Sequence, residues 1–305
     1  MLITVIPHHA ALNYIFLISL VIYLVILSFK NLSFALVKAF AQYRANAVKS
    51  KHLQIRQSHK EAFLSYNPTS CGALDRFYET KMKSPCIFAK HAVLWGSREY
   101  ERKKSIEENV LQTLPAFCKF ASMVDDKVHN LDGFLIEIKG KHYCDSVPAF
   151  AATVSTVLNT LGDNDPSGLN TMRMKSIGTS SSWYFSFDMV PMFVTTFAPC
   201  YTKSSPRQLY LSEDSLDSCF LLLQPEVSFL KHNIGSDSVK TAWKTPLTIR
   251  DKIRVNFRHK SQSYFIPPTL KYPVAATFVH SCDGKTDSIE FWDEEKYPLR
   301  YCSSS

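Results

Sequence analysis

The feature that most constrains the fold of this chain is an alternation of aromatic side chains that begins at residue 183. Trp183, Phe185 and Phe187 occupy every second position. A period of two places all three rings on one face of a β-strand. Residues 188–191 then break the pattern. We therefore predict a strand that ends in a short turn near residue 188.

The alternation resumes after this turn with Phe193, Thr195 and Phe197, which predicts a second strand and a hairpin. The turn contains no glycine to supply a positive φ. A polar loop that carries Cys200 and Arg207 follows the hairpin. An aromatic face that ends beside a cysteine and an arginine predicts a pocket for a flat ligand. A hydrophobic core under a surface loop is the alternative interpretation.

Capping residues and periodicity predict two helices before the hairpin. Ser105 and Glu108 form a capping box. The apolar face of the helix that follows consists of Val110, Leu111, Leu114, Phe117, Cys118 and Ala121, and Pro115 is expected to kink it. Ser146 with Pro148 begins the second helix, which the turn at residues 162–166 ends. Its apolar face consists of Phe150, Val154, Val157, Leu158 and Leu161.

A third helix is predicted to begin at Thr245 and Pro246, because apolar residues recur there at every fourth position. The charged residues between them, namely Arg250, Asp251 and Arg254, are predicted to face solvent. Further strands are predicted at residues 86–95, 134–138, 219–224, 275–279 and 289–292, with 219–224 in the centre of the sheet. Strands and helices do not alternate strictly. The predicted fold is α+β, with a mixed, largely antiparallel sheet and flanking helices.

An apolar segment precedes this domain. Residues 11–29 contain 19 residues without a charge, which as a helix span about 28 Å, close to the thickness of a bilayer core. We predict a transmembrane helix that anchors the protein in a membrane. A secretory signal peptide and a buried core helix are the alternatives. No basic region precedes the segment, and Lys30 stands where a signal peptide has small cleavage-site residues.

Basic residues follow the apolar segment and are absent before it. The positive-inside rule therefore predicts a single-pass protein whose C-terminal domain faces the cytosol. The predicted organisation is a short tail at residues 1–10, the anchor at 11–29, a basic juxtamembrane segment at 30–62 and a folded domain at 63–305.

Composition restricts the class of partner. The net charge of +8 and pI near 9.0 favour acidic partners, but the basic residues are scattered and form no nucleic-acid motif. We expect no nucleic-acid binding. The eight cysteines include no C-x-x-C pair, which indicates reduced thiols. An exported protein with disulfides is the alternative.

No standard catalytic motif is present. The chain has no glycine-rich phosphate loop, no G-x-S-x-G and no H-E-x-x-H, and its ten histidines do not cluster at ligand spacing. Asp163 and Asp165 resemble part of a calcium loop, but Pro166 follows them and indicates a turn. Cys200 is a candidate thiolate ligand or nucleophile, or else an inert buried thiol.

A series of short motifs between Ser84 and Trp292 resembles the YqcI/YcgG family, which includes the guanitoxin-type haem-dependent N-hydroxylases. In chain order these motifs are Ser84–Phe88, Leu161 with Asp163–Pro166, Trp183–Phe187, Met192–Val194, Pro199, Arg207, Leu223–Pro225 and Arg250–Arg254. The resemblance implies a b-type haem and oxygen-dependent hydroxylation of a nitrogen in an amino-acid or guanidino substrate. It does not identify the electron donor.

The same resemblance implies a haem or substrate pocket. Its candidate residues are Cys86, Trp183, Phe185, Phe187, Phe193, Pro199, Cys200, Tyr201, Arg207 and Gln224. Within this set, Arg207 offers a planar guanidinium that suits a haem propionate or a substrate carboxylate. A surface salt bridge is the alternative role for Arg207.

Two histidines of the family pattern are missing from this chain. Many relatives resemble G-L-H-P at the end of the second hairpin strand and L-H before the paired aspartates, where this chain has Ala198 and Gly162. Haem iron needs a protein ligand, and the candidates that remain are Cys200, Tyr201 and His91. Two hypotheses stay open: a membrane-anchored haem-dependent oxygenase, or a non-catalytic member of the family that binds a ligand or partner and has lost haem ligation.

Overall fold

The computed structural model describes residues 66–124, 130–210, 217–235, 240–262, 274–282 and 289–299. All of them belong to one compact unit, His52–Ser305. The predicted anchor at 11–29 and the basic segment at 30–62 lie outside the described residues. Within the described ranges, no helix has both the length and the apolar character that a membrane crossing requires.

A five-stranded sheet forms the centre of the domain. Its strands are β1 (Leu94–Gly96), β2 (Gly133–Lys139), β3 (Phe185–Phe187), β4 (Val190–Phe197) and β5 (Ser218–Pro225). Their order in the sheet is β1-β2-β5-β4-β3. The β1–β2 pair is parallel, and the other three pairs are antiparallel. The predicted mixed α+β fold is confirmed.

The central position of β5 follows from its continuous apolar run. Leu221 and Leu223 face one side of the sheet, and Phe220 and Leu222 face the other. All four side chains are buried, as expected for a strand that is covered on both faces. The prediction of a central strand at residues 219–224 is therefore confirmed.

Five helices are described: α1 (Gly72–Lys83), α2 (Ile106–Met123), α3 (Val147–Asp163), α4 (Glu226–Lys231) and α5 (Ile249–His259). The capping box predicted for α2 is present: the Glu108 amide donates to Ser105 Oγ at 3.1 Å, and the Ser105 amide donates to Glu108 Oε2 at 2.7 Å. Ser146 caps α3 as predicted. In α2, Leu111 lies on the solvent side with 43% of its surface exposed, so its assignment to the apolar face was wrong.

The helices cover both faces of the sheet. On one face, Phe117 and Phe120 of α2 pack against Phe134 of β2, with ring centroids 5.1 and 5.5 Å apart. On the other face, Phe77 of α1 contacts Phe197 of β4 at 5.0 Å. The main core therefore lies between the sheet and the α2–α3 pair, and a smaller core lies under α1.

A buried carboxylate joins α1 to the sheet. Glu137 of β2 is fully buried, and Arg76 of α1 binds it through two hydrogen bonds of 2.7 and 2.6 Å. Ser218 of β5 donates to Glu137 Oε1 at 2.8 Å. Two N–H groups of one guanidinium bind two oxygens of one carboxylate. The Arg76–Glu137 pair therefore fixes the position of α1 over the sheet.

Of three further strand predictions, 86–95 was right only at its last two residues, and 275–279 and 289–292 were wrong. In the first segment, Ala89–His91 is a 3-10 turn, and strand geometry begins only at β1. The second segment overlaps the 3-10 helix Val274–Thr277, and the third is a turn. Residues 275–279 are largely buried, whereas only Trp95 is buried in the first segment and only Phe291 in the third. A covering loop also needs apolar side chains, so a short apolar run does not separate a loop from a strand.

The third predicted helix begins later than expected and has a different exposure. Helix α5 starts at Ile249, and Thr248 caps it by accepting from the Asp251 amide at 3.0 Å. Arg254 was predicted to face solvent but has no exposed surface. Its Nη1 donates to Thr241 Oγ1 at 2.8 Å, because residues before the helix fold back over this side. Asp251 is also buried.

The Arg76–Glu137 pair gives a first prediction. Arg76→Ala leaves the Glu137 carboxylate buried without its cation, so we expect a loss of about 3 kcal/mol in the free energy of unfolding. Urea unfolding followed by circular dichroism measures this loss. Lys83→Ala is the control: it removes the exposed Lys83–Glu79 pair of the same helix, and we expect a loss below about 0.5 kcal/mol. Equal losses in the two variants would contradict the structural role of Arg76.

Candidate functional site

The aromatic face predicted from the alternation lies inside the main core. Trp183, Phe185 and Phe187 are buried, and the Phe187 ring is 4.6 Å from that of Phe117 in α2. The indole Nε1 of Trp183 donates to the Thr171 carbonyl at 2.9 Å. These three rings pack against protein, as in the alternative core interpretation of the pattern.

Phe193 lies on the opposite face of the sheet from Phe185 and Phe187. Phe185 pairs with Met192, and successive residues of a strand point to opposite faces. Phe193 pairs instead with Gln224 of β5, whose side-chain oxygen accepts from Thr195 Oγ1 at 3.1 Å. The Phe193 ring contacts Phe229 and Phe278, with centroids 5.8 and 6.4 Å apart, and Phe278 also lies 5.9 Å from Trp183. The four predicted aromatic residues therefore do not share one face of the sheet, although Trp183 and Phe193 both contact Phe278.

Near the end of β4 the structure places one predicted residue, Tyr201, against the segment that carries His280. Tyr201 is buried, and its hydroxyl oxygen accepts from the His280 backbone amide at 3.2 Å. The positive charge of Arg207 acts on Cys86, Tyr201 and His280 alike. We call Cys86, Tyr201, Arg207 and His280 the His280 cluster.

Two further contacts hold the His280 cluster against the sheet and α3. The side chain of Thr196 in β4 bonds to the Phe278 carbonyl and lies 3.5 Å from the Tyr201 hydroxyl. The Tyr201 ring meets Phe150 of α3 edge-on at 5.8 Å. The chain around His280 is thus fixed beside the last residues of β4.

Burial and charge set the protonation of the cluster. Burial, aided by the Arg207 charge, lowers the pKa of His280 to about 3, so that its imidazole is neutral at pH 7. Burial raises the pKa of Cys86, and Arg207 acts in the opposite direction. Burial also raises the pKa of the Tyr201 phenol, which stays protonated. The cluster therefore combines one neutral imidazole with one permanent cation.

Of the two remaining candidate ligands, Cys200 is the chain neighbour of Tyr201, and His91 lies elsewhere. Cys200 follows Pro199 directly after β4, and burial raises its pKa to about 12, next to the thiol of Cys144. His91 is exposed on the 3-10 turn before β1. Among the described residues, no three His, Cys, Asp or Glu side chains are grouped as a metal site requires.

Sequence reasoning missed His280 because it placed residues 275–279 in a strand. The pattern did contain an indication: His280 ends the apolar run that begins at Val274, and a polar residue at the end of such a run is often buried with it. The pattern does not reveal that this run folds beside Tyr201, since the two segments are far apart in the chain.

The position of one missing family histidine has been closed by a neighbouring side chain. A Cβ atom added at Gly162 would lie 2.5 Å from Asn170 Oδ1. Asn170 is held there, because its amide group donates to Asp163 Oδ1 at 2.7 Å and its oxygen accepts from the Met172 amide at 3.0 Å. A histidine side chain at residue 162 does not fit this packing.

Asp165 of the paired aspartates supports the hairpin turn. Its Oδ1 accepts from the Ser167 amide at 2.8 Å and from the Asp188 amide at 3.0 Å. Asp188 and Met189 both have positive φ, 51° and 66°, which a two-residue hairpin loop requires. The paired aspartates thus belong to a turn, as predicted. Asp165 also stabilises the β3–β4 turn, which contains no glycine.

The fold is an α+β domain with a buried polar cluster at the edge of its central sheet. Residues 76–252 match the YqcI/YcgG family model. The match covers more than half of the chain, which therefore belongs to the YqcI/YcgG family. No curated protein and no solved structure matches the chain. Cys86, Tyr201 and Arg207 lie inside the matched range, whereas His280 lies beyond it.

Gly162 gives a second prediction. Gly162→Ala gains helix propensity of up to about 1 kcal/mol but forces Asn170 to move, at a cost of about 1–3 kcal/mol. We expect a net loss of stability in urea unfolding, and a larger loss for Gly162→His. Gly235→Ala is the control, because no atom lies within 4 Å of an added Cβ there. A Gly162→His variant as stable as the unchanged protein would show that the site is still open.

Asp165 gives a third prediction, in the pH dependence of stability. Burial raises the pKa of Asp165, and the nearby Asp188 charge adds to this effect. The folded state thus holds the proton more tightly than the unfolded state, so this contribution to stability is present at low pH and is lost as pH rises above about 4. Asp165→Asn keeps the Oδ1 acceptor and cannot ionise. Its stability relative to the unchanged protein should therefore rise from pH 4 to pH 7 in urea titrations.

Asp163→Asn is the matched control for this measurement. Asp163 lies in the same turn, where it pairs with the exposed Arg173 at 2.7 Å. We expect its difference from the unchanged protein to show no such rise. A flat difference for Asp165→Asn would contradict the assigned effect of burial.

Proposed function

We propose that this YqcI/YcgG-family protein is a haem-dependent oxygenase that hydroxylates a nitrogen of a small amino-acid or guanidino substrate. The observation that carries the proposal is the His280 cluster. It places the backbone of His280 against the Tyr201 hydroxyl, and the buried imidazole of His280 is neutral. This lies near the end of β4, where relatives carry a motif histidine and this chain has Ala198. His280 thus supplies from another part of the chain the residue type that β4 has lost.

The chemistry of the cluster suits a haem. Iron takes a neutral imidazole nitrogen as a ligand, and the pKa of His280 keeps that nitrogen unprotonated over the physiological range. Arg207 supplies a permanent cation of the shape that suits a propionate or a substrate carboxylate. When bound, the haem would supply the oxygen chemistry, while these residues would hold and orient it.

The packing favours His280 over the other candidate ligands. The Tyr201 hydroxyl bonds to the His280 amide, and the Cys200 thiol is kept protonated by burial. His91 is exposed and belongs to a different turn. The aromatic residues Trp183, Phe185 and Phe187 act in this proposal as the core that supports the end of β4, and they do not contact the ligand.

The proposal includes anchorage in a membrane through residues 11–29, with the domain on the cytosolic side. It is supported by the uncharged run itself and by the basic residues that follow it. An external reductant supplies the electrons that oxygen activation consumes. The substrate is small and nitrogenous, in line with the family resemblance.

A second function is a non-catalytic, ligand-binding member of the family. One observation favours it: Asn170 fills the space in front of Gly162. A histidine therefore does not fit at residue 162, where relatives resemble L-H. In this case the chain keeps the fold and binds without turnover. The two functions differ in whether the purified protein takes up haem.

A fourth prediction separates these functions. The full-length chain, expressed with haem supplied, should show a Soret band that shifts on reduction and on addition of carbon monoxide. His280→Ala should lose most of this band, because the iron loses its ligand. The exposed His91→Ala is the control and should keep it. Both variants are also checked by circular dichroism, which shows whether the protein is folded.

Two results would contradict the haem proposal or the assignment of His280 as the iron ligand. A folded, colourless full-length protein would refute the haem proposal and leave the ligand-binding function. The Soret band could also be unchanged in His280→Ala but lost in Cys200→Ala or Tyr201→Phe. This result would support haem binding and would identify Cys200 or Tyr201 as the iron ligand.

A further inference from the structure

Four free cysteine thiols from distant parts of the chain come together near the end of β4. They belong to Cys144, Cys200, Cys219 and Cys282. Cys144 and Cys219 are buried neighbours in the core, Cys200 is half-buried, and Cys282 is exposed. The group therefore extends from the core to the surface of the domain.

Hydrogen bonds hold the segment that contains Cys282 beside the loop that contains Cys200. The Thr202 amide donates to the Cys282 carbonyl at 2.9 Å, and Thr202 Oγ1 donates to the same oxygen at 3.2 Å. The bond from the His280 amide to the Tyr201 hydroxyl joins the same two segments. Cys200 and Cys282 therefore both lie within two residues of this contact.

Two thiols are close enough to Cys200 to be its disulfide partner. Burial raises the pKa of Cys200 to about 12, and the thiols of Cys144 and Cys282 add to this effect. Cys144 is fully buried, and its Sγ lies 3.7 Å from the Gly140 carbonyl, where a soluble oxidant does not reach it. Cys282 is exposed, so it is the partner that an oxidant can reach.

We propose that Cys200 and Cys282 form a reversible disulfide when the protein meets hydrogen peroxide. Peroxide oxidises the exposed Cys282 thiol to a sulfenic acid, and its O–O bond breaks to release one water. The Cys200 sulfur then attacks the Cys282 sulfur, which forms the S–S bond and releases the sulfenic oxygen as a second water. The two thiols lose two electrons to peroxide, and their protons leave in the waters.

The different environments of the two thiols set the order of these steps. The thiolate is the reactive form of cysteine, so Cys200, with a pKa of about 12, is a poor target for peroxide at pH 7. It acts second, on the sulfenic acid of Cys282. Because Cys200 must lose its proton in that step, we expect disulfide formation to become faster as pH rises.

The disulfide would join the loop after β4 covalently to the segment that carries His280. In the reduced protein, the printed contacts between Thr202 and Cys282 are hydrogen bonds. A bridge between residues so far apart in the chain restricts the unfolded state and stabilises the fold. In reducing compartments such bonds are transient and serve catalysis or redox sensing. We therefore assign a redox-sensing role to this pair.

The test begins with the reduced full-length chain, which is freed of reductant and treated with a small excess of hydrogen peroxide. The remaining thiols are blocked with N-ethylmaleimide, and an unreduced digest is analysed by mass spectrometry. We expect the chain, which has eight cysteines, to yield one peptide pair joined through Cys200 and Cys282. Dithiothreitol should restore both thiols.

Single variants separate the roles of the two thiols. Cys282→Ser should prevent the disulfide, and its exposed position keeps the test valid if Cys200→Ser does not fold. Cys200→Ser should leave Cys282 as a sulfenic acid that dimedone labels more strongly than in the unchanged protein. Cys71→Ser is the matched control, because Cys71 is also half-buried but lies at the start of α1. It should form the disulfide as the unchanged protein does.

Thermal unfolding measures the effect of the bridge on the domain. The peroxide-treated protein should unfold at a higher midpoint than the reduced protein, and both dithiothreitol and Cys282→Ser should abolish the difference. An unchanged midpoint in protein that contains the disulfide would contradict the proposed fixation of the His280 segment.

Other pairings would overturn the proposal. A bridge between Cys144 and Cys200, a bridge from Cys282 to Cys302, or a disulfide between two chains would each show that the assignment is wrong. Peroxide treatment that leaves all thiols free would do the same. None of these readouts depends on haem, so the outcome is independent of the test of the proposed function.

Discussion

The antiparallel pairing of β4 with β5 controls where the functional candidates lie. Its register joins Phe193 to Gln224 and Val194 to Leu223. Because neighbours in a strand face opposite sides, this register sends Phe193 to the α1 side of the sheet and Val194 to the α2–α3 side. Residues that belong to one motif in the sequence are thereby divided between the two faces of the sheet.

At the end of β4, the face on which each residue lies decides which side chains contact the segment around His280. Thr196 faces the α2–α3 side and holds the segment around Phe278, and Tyr201 holds His280. Arg207 follows in the same loop, and its charge acts on this group. One side of the His280 cluster is thus fixed by β4 and the loop after it, and the other side comes from a segment much later in the chain. The proposed haem ligand comes from that distant segment.

The two basic features of the domain differ in construction. Arg207 acts on a cluster that is almost closed to solvent, where its charge lowers the pKa of a histidine. Arg250 and Arg254 lie on α5, where Arg250 donates to the Gly235 carbonyl and Arg254 donates to Thr241 Oγ1. The charge of Arg207 adjusts the protonation of a buried neutral group, whereas Arg250 and Arg254 join α5 to the segments that precede it.

Much of the fold could be predicted from the sequence, because its signals are local. The capping box at Ser105, the cap at Ser146 and the apolar run of β5 each depend on spacings of a few residues, and all three were predicted correctly. The turn at Asp163–Pro166 was also recognised from its residues alone. The family was recognised in the same way, from short motifs in a fixed order.

Other features were decided only by tertiary structure. Residues 275–279 have the composition of a strand but form a covering turn, because the side chains there pack against β4 without extended pairing. Arg254 has the spacing of a solvent-facing residue, yet it is buried because residues 240–248 fold over it. His280 meets Tyr201 only through chain folding. The sequence by itself determined the family and the elements whose signals are local. Long-range packing decided which short apolar runs become strands and which side chains meet, since both depend on contacts between segments that no local pattern records.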